Sequence, residues 1–190
     1  DVHRARHQVI VVSSGAVAMG MERLGLNTKP SSLPDLQACA AVGQSRLMSV
    51  YEQAFGRSGI ATAQILLTEY DFADRERYLN LRNTMERLLA DGVIPIVNEN
   101  DSVATEELRF GDNDRLAALV VNASRADLLV LLTDVDGLYS RPPREGRSAR
   151  IKEVKQVTAA LLERTGDSEG EFGSGGMRSK LESAQAAARF

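Results

Sequence analysis

Five short stretches of this chain carry groups that can hold charged ligands by position alone. In Ser13-Ser14-Gly15-Ala16, small residues stand immediately ahead of a helical pattern at 16–24. Small side chains let the backbone approach a ligand, and the following helix aims its free N–H groups at it, so this reads as a cradle for a carboxylate or a phosphate. Gly173-Ser174-Gly175-Gly176-Met177-Arg178-Ser179-Lys180 is a second cradle of the same design, with a lysine one turn into the helix. It is not a Walker A loop, which needs Gly-Lys-Ser/Thr. Nor is it a dinucleotide fingerprint, because Arg178 stands where the third glycine should be. As a bare pattern it reads equally well as a flexible linker.

The other three stretches are acidic or amide-rich: Asn98-Glu99-Asn100-Asp101, Gly111-Asp112-Asn113-Asp114 and Thr133-Asp134. Capping the helical pattern at 115–124 would use only one of Asp112, Asn113 and Asp114. The surplus suggests binding of ammonium groups or orientation of lysines. Asp134 and Asp136 in TDVDG fail the spacing of a calcium loop, and a turn ending at Gly137 fits them better. His3 and His7 have the i,i+4 spacing that zinc ligands can have, but no Glu follows His3 and two arginines lie between them, so no metal ligand is assigned. With two histidines near one terminus and the single cysteine, Cys39, on the apolar face of a helical pattern, nucleophilic catalysis is disfavoured. Two anion cradles with acidic and amide clusters are the equipment of phosphoryl transfer by positioning and charge neutralisation.

Such groups need a frame to hold them. Four apolar segments, VIVV (9–12), QILL (64–67), VIPIV (93–97) and LLVLL (128–132), lack alternation and read as strands buried on both faces of a parallel sheet. Pro95 removes a ladder donor, so the third strand is expected near an edge or at a bulge. Between the strands, 34–55 places Leu36, Cys39, Ala40, Leu47, Val50, Tyr51, Ala54 and Phe55 on one helical face. The stretch 74–90 does the same with Tyr78, Leu81, Met85 and Leu88, and stops at Asp91-Gly92. Strands separated by helices imply βαβ crossovers and an α/β fold, a three-layer αβα sandwich around a mainly parallel sheet. In such a sheet ligands bind beyond the carboxyl ends of the strands, and the polar clusters at 13–16, 98–101 and 133–134 each follow one. A Pro/Arg/Gly-rich stretch at 140–150 reads as an exposed loop or hairpin arm. Helical patterns follow at 158–164 and from Met177.

The 190 residues fit a single domain, 1–190, without internal repeats. With 23 Lys and Arg against 26 Asp and Glu, the chain offers no basic footprint for nucleic acid or an anionic membrane. No apolar run is long enough to span a bilayer, the polar opening DVHRARHQ is not a signal peptide, and one cysteine suits a reducing compartment, so a cytoplasmic location is expected. Opening on Asp1 and closing on Phe190 straight after a helical run, the chain reads as cut at both ends.

In VVSSGAVAMG (11–20), AAVGQSRLM (40–48), DRERYLN (74–80), VNENDSVATEELRFGDND (97–114), LLTDVDGLY (131–139) and GSGGMRSK (173–180), the sequence closely resembles the glutamate 5-kinase family within the amino acid kinase superfamily. The resemblance implies the amino acid kinase fold and ATP-dependent phosphorylation of the L-glutamate γ-carboxylate, the first step of proline synthesis. It also implies Mg²⁺ held mainly by the nucleotide. Carried over by motif, Ser14, Gly15 and Ala16 would hold glutamate, and Asn98, Asp101 and Asn113 would receive its amino-acid end. Thr133 and Asp134 would meet the nucleotide, while Ser174, Gly175, Gly176, Met177, Arg178, Ser179 and Lys180 would wrap its phosphates. Lys180 would be catalytic through its charge on the transferring group, with Asp114 holding the catalytic lysines. Family members are usually homo-oligomers and are often inhibited by proline. The family's first strand, with a Lys-Leu-Gly-type loop, and the end of its kinase domain have no counterpart in these residues. The resemblance therefore implies a domain incomplete at both ends, nearly inactive as an isolated stretch. Other readings are a relative acting on a different carboxylate, or a non-catalytic amino-acid sensor of the same fold.

Overall fold

A computed structural model describes residues 7–105, 110, 112–140, 148–165 and 176–189. They fall into two compact units, Asp1–Phe110 and Gly111–Phe190.

The first unit runs β1 (Val11–Val12), α1 (Ala16–Leu24), α2 (Leu33–Gly56), β2 (Thr62–Leu67), α3 (Glu69–Ala73), α4 (Arg75–Ala90) and β3 (Ile94–Glu99). Its strands form a parallel sheet in the order β1-β3-β2 with helices packed on it, consistent with the three-layer arrangement. Ile94, Ile96 and Val97 are at most 1 % exposed, as a non-alternating apolar strand requires.

Pro95 therefore lies in the central strand, not at an edge as the missing donor suggested. The reason is directional. Ile94 N–H donates to Ala61 of the β2 side at 2.9 Å, whereas the Val97 carbonyl accepts from Ser13 on the β1 side at 2.8 Å. Successive residues of a parallel strand turn their backbone groups to alternate neighbours, so the Pro95 nitrogen faces β1. Pairing with β1 begins only at Val11, opposite Ile96. The donor that proline lacks falls before the ladder starts.

α2 begins at its Ser32 cap, whose hydroxyl oxygen accepts from the Asp35 N–H at 3.2 Å. Its core face holds Cys39, Ala40 and Leu47, whereas Val50 and Ala54, expected on that face, are exposed. α1 crosses α2 at backbone contact. A Cβ on Gly20 would stand 1.8 Å from the Cys39 carbonyl oxygen, and one on Gly43 1.8 Å from that of Ala16. α3 was not anticipated. Its start is held by Asp71, whose carboxylate accepts from the Thr68 N–H at 2.6 Å and the Thr68 hydroxyl at 2.8 Å and pairs with Arg77 at 2.6 Å. α4 follows from its Asp74 cap and buries Leu81 and Met85.

The second unit contains α5 (Asn113–Ser124), α6 (Ala159–Arg164) and α7 (Met177–Ala187). α5 turns Leu116, Ala117, Ala118, Val120 and Ala123 inward and packs on α7. The expected strand at 128–132 does not form: Leu128, Val130 and Leu132 are 75 %, 64 % and 86 % exposed. Apolar content makes a strand only where a neighbour completes the ladder, and none pairs with this segment among the described residues. At the base of the arm, Tyr139 and Arg150 form an antiparallel bridge, while 141–147 lie outside the described residues.

Two outcomes follow from this packing. Gly43→Ala forces a methyl into a carbonyl and is expected to lower stability by about 3 kcal/mol, measured by denaturant titration. Burial alone would raise the Asp71 pKa, but the Thr68 N–H, Arg77 and the Thr68 hydroxyl outweigh it and hold it below its ordinary 3.8. A depressed carboxyl stabilises fully above its unfolded value and loses that contribution as pH falls through the folded one. The melting-temperature gap between parent and Asp71→Asn should therefore be constant above about pH 5 and close progressively below it.

Candidate active site

Because β1 and β3 are parallel, their carboxyl ends share one rim, and the Ser13 N–H bonded to Val97 fixes their relative level. Beyond Ser13 the chain passes through Ser14 and Gly15 into α1. Gly15 has φ of 104°, a left-handed conformation that a side chain would strain, and no side chain among the described residues caps the helix behind it. Ala16 is buried. No acidic residue stands in the first turn of α1, so its N-terminal field is not neutralised locally.

On the β3 side of the rim, Asn98 and Glu99 are 2 % and 8 % exposed. The Asn98 Oδ1 accepts from the Glu99 N–H at 2.9 Å, and the Glu99 Oε1 accepts from the Phe110 N–H at 3.1 Å. Asp101, partly exposed, stands in the turn that follows β3. The structure thus brings Ser14, Gly15, Ala16, Asn98 and Asp101 to one end of one sheet.

α2 braces this rim with side chains that the motifs did not single out. Gln37 Nε2 donates to the Ala104 carbonyl at 3.1 Å, Asn98 Nδ2 donates to Gln44 Oε1 at 2.9 Å, and the Tyr51 and Ser13 hydroxyls bond at 2.8 Å. These three recur every seventh residue, so they form one stripe along the helix. That spacing of hydrogen-bonding groups beside Cys39, Ala40 and Leu47 is the signal that could have found them.

In the second unit, Lys180 Nζ donates to Asp114 Oδ2 at 2.8 Å, with side chains 19 % and 16 % exposed. The pair joins the first turns of α5 and α7. Asp112 binds the same two turns: Oδ1 accepts from the Asp114 N–H at 2.5 Å, capping α5, and Oδ2 accepts from the Ser179 hydroxyl. Asn113 is the first residue of α5. At α7, Gly176 is the N-cap, no described side chain caps the end, and the first turn has no acidic residue. Met177 opens the helix, and Arg178 turns along it to Glu182 at 3.1 Å. Thr133 Oγ1 accepts from the Val135 N–H at 3.4 Å, and Asp134 is exposed. Ser174 and Gly175 lie outside the described residues.

Comparison with known proteins places this geometry. The model of the amino acid kinase family matches residues 1–189. A glutamate 5-kinase of Geobacter metallireducens is 54 % identical over 184 residues, which are 96 % of this chain and 49 % of that protein. One from Myxococcus xanthus is 54 % identical over 93 % of this chain and 47 % of its own length. One from Pseudomonas savastanoi pv. phaseolicola is 50 % identical over 99 % and 51 %. The chain spans about half the length of the curated relatives it matches. A parallel sheet with its polar groups at one rim, a lysine anchored by a carboxylate, and a family match from end to end agree: the chain belongs to the amino acid kinase family.

Proposed function

We propose that the protein transfers the γ-phosphoryl group of ATP to the γ-carboxylate of L-glutamate, giving L-glutamyl 5-phosphate, the entry to proline synthesis. The observation that carries this reading is Lys180, held by Asp114 one turn inside a helix whose start no described side chain caps. Its ammonium is kept in place without being buried, where it can meet charge gathering on a transferring phosphoryl group. The relatives of similar sequence, named glutamate 5-kinase, supply the choice of acceptor.

In the first unit, Ser14 and the backbone of Gly15 and Ala16 receive the acceptor, with Asn98 and Asp101 for its amino-acid end; a carboxylate such as Asp101 suits the ammonium. In the second unit, Asn113 is also assigned to the acceptor and Thr133 and Asp134 to the nucleotide. Ser174 to Lys180 take the phosphates. The N-terminus of α7 fits a phosphate, because the positive end of the helix dipole and Lys180 are both cationic in effect. Mg²⁺ enters with the nucleotide, held mainly by its phosphates; among the described residues no group of three or more His, Cys, Asp or Glu could hold a metal. The substrate carboxylate attacks in line, so no protein nucleophile is required. Homo-oligomer formation, proline inhibition and a cytoplasmic location belong to the same reading. Among the described residues no helix is long and apolar enough to cross a membrane.

An ATP-consumption assay of the intact protein against a panel of amino acids tests the proposal. L-Glutamate should be preferred, and preference for aspartate or N-acetylglutamate overturns the acceptor. Lys180→Met should lower kcat by about 10²–10³-fold. Asp114→Asn, which releases the lysine from its anchor, should lower it by about 10²-fold through misplacement alone.

A further inference from the structure

We propose that Gln44 is a positioning residue of the acceptor site, acting through Asn98; the inference rests on the assignment of Asn98 to the acceptor. One backbone group starts the chain of reasoning. The Glu99 N–H donates to Asn98 Oδ1 at 2.9 Å, which decides the end of the Asn98 carboxamide that carries oxygen. Its Nδ2 therefore points to α2, where a partner must present an acceptor. Gln44 Oε1 does so at 2.9 Å. Both carboxamides are thus oriented by a single peptide N–H.

This arrangement has a cost in the folded protein. Gln44 is 8 % exposed, and its Nε2 is buried with no hydrogen-bond partner among the described residues. A methionine or leucine there would remove that unmade donor but leave the Asn98 Nδ2, in a residue 2 % exposed, without the Gln44 acceptor, so the glutamine is tied to Asn98. The return is a rigid hold on Asn98. Gly43, the preceding residue, has its Cα pressed against the Ala16 carbonyl, so the contact that seats the start of α1 also fixes the backbone from which Gln44 projects. Of the three stripe residues on α2, Gln37 reaches a backbone carbonyl and Tyr51 the Ser13 hydroxyl. Gln44 alone bonds a side chain assigned to the acceptor.

The test is a double-mutant cycle in the intact protein, read by steady-state kinetics in acceptor and in ATP. Gln44→Met should raise the acceptor KM by about tenfold with the ATP KM close to the parent, while the melting temperature falls modestly because the Asn98 Nδ2 loses its acceptor. Gln44→Glu keeps an oxygen facing Asn98 and should restore the acceptor KM to within about threefold. Gln44→Met added to Asn98→Ala should cost nothing further, because the residue it acts through is gone. Equal effects on both KM values, effects that multiply in the double variant, or a folded Gln44→Glu as impaired as Gln44→Met would each overturn the proposal. If the parent phosphorylates an acid other than glutamate, the acceptor reading fails and the same cycle is run on that acid. If it turns over none, exchange of the Asn98 side-chain amide protons decides by NMR: slow in the parent and fast in Gln44→Met supports the proposal, and equal rates overturn it.

Discussion

The contact between the backbones of α1 and α2 is the constraint on which the first unit depends. Helices usually meet through side chains, with axes 8–10 Å apart. Here Gly20 and Gly43 remove the intervening carbon, so each helix touches the carbonyl oxygens of the other. The approach sets where α1 begins relative to the strand that feeds it. It also brings the polar stripe of α2 to the end of the sheet. The small residues at 13–16 and the glutamine at 44 are therefore solutions to one geometric problem, although they lie in different elements.

The second unit meets a similar need by electrostatics. Asp112 and Asp114 project from one helix start and both reach the first turn of α7. Clustered carboxylates repel one another and disfavour each other's charge unless cations or donors are interleaved with them. The Asp114 N–H, the Ser179 hydroxyl and the Lys180 ammonium are those partners. The two aspartates differ in what they bind: one takes neutral donors and caps a helix, the other takes the lysine.

Legibility in the sequence followed physical locality. The helix α2 could be read because its apolar face lies within the segment. Gly15 and Lys180 could be read because helix starts announce themselves. What failed depended on partners distant in sequence. Residues 128–132 have the composition of a buried strand, but composition does not say whether a neighbour completes the ladder. Val50 and Ala54 follow the helical period, yet the helix continues past the surface that buries its earlier turns. Gln44 looked like an ordinary helical glutamine, because its significance lies in an asparagine 54 positions away. The short α3 is the exception: its start rests on Asp71 bonding Thr68 three residues earlier, a local signal that apolar periodicity does not detect.

Pro95 has a further consequence. A parallel pair of strands can slide by two residues without changing which side chains face which layer, so burial alone does not exclude that error. In the observed register the proline nitrogen lies just short of the first β1 pairing. A slide that brought it into the ladder would oppose a carbonyl oxygen to a ring nitrogen with no hydrogen. The proline thus serves as an index mark against which β1 is aligned, and with it the level at which the Ser13 N–H reaches the Val97 carbonyl.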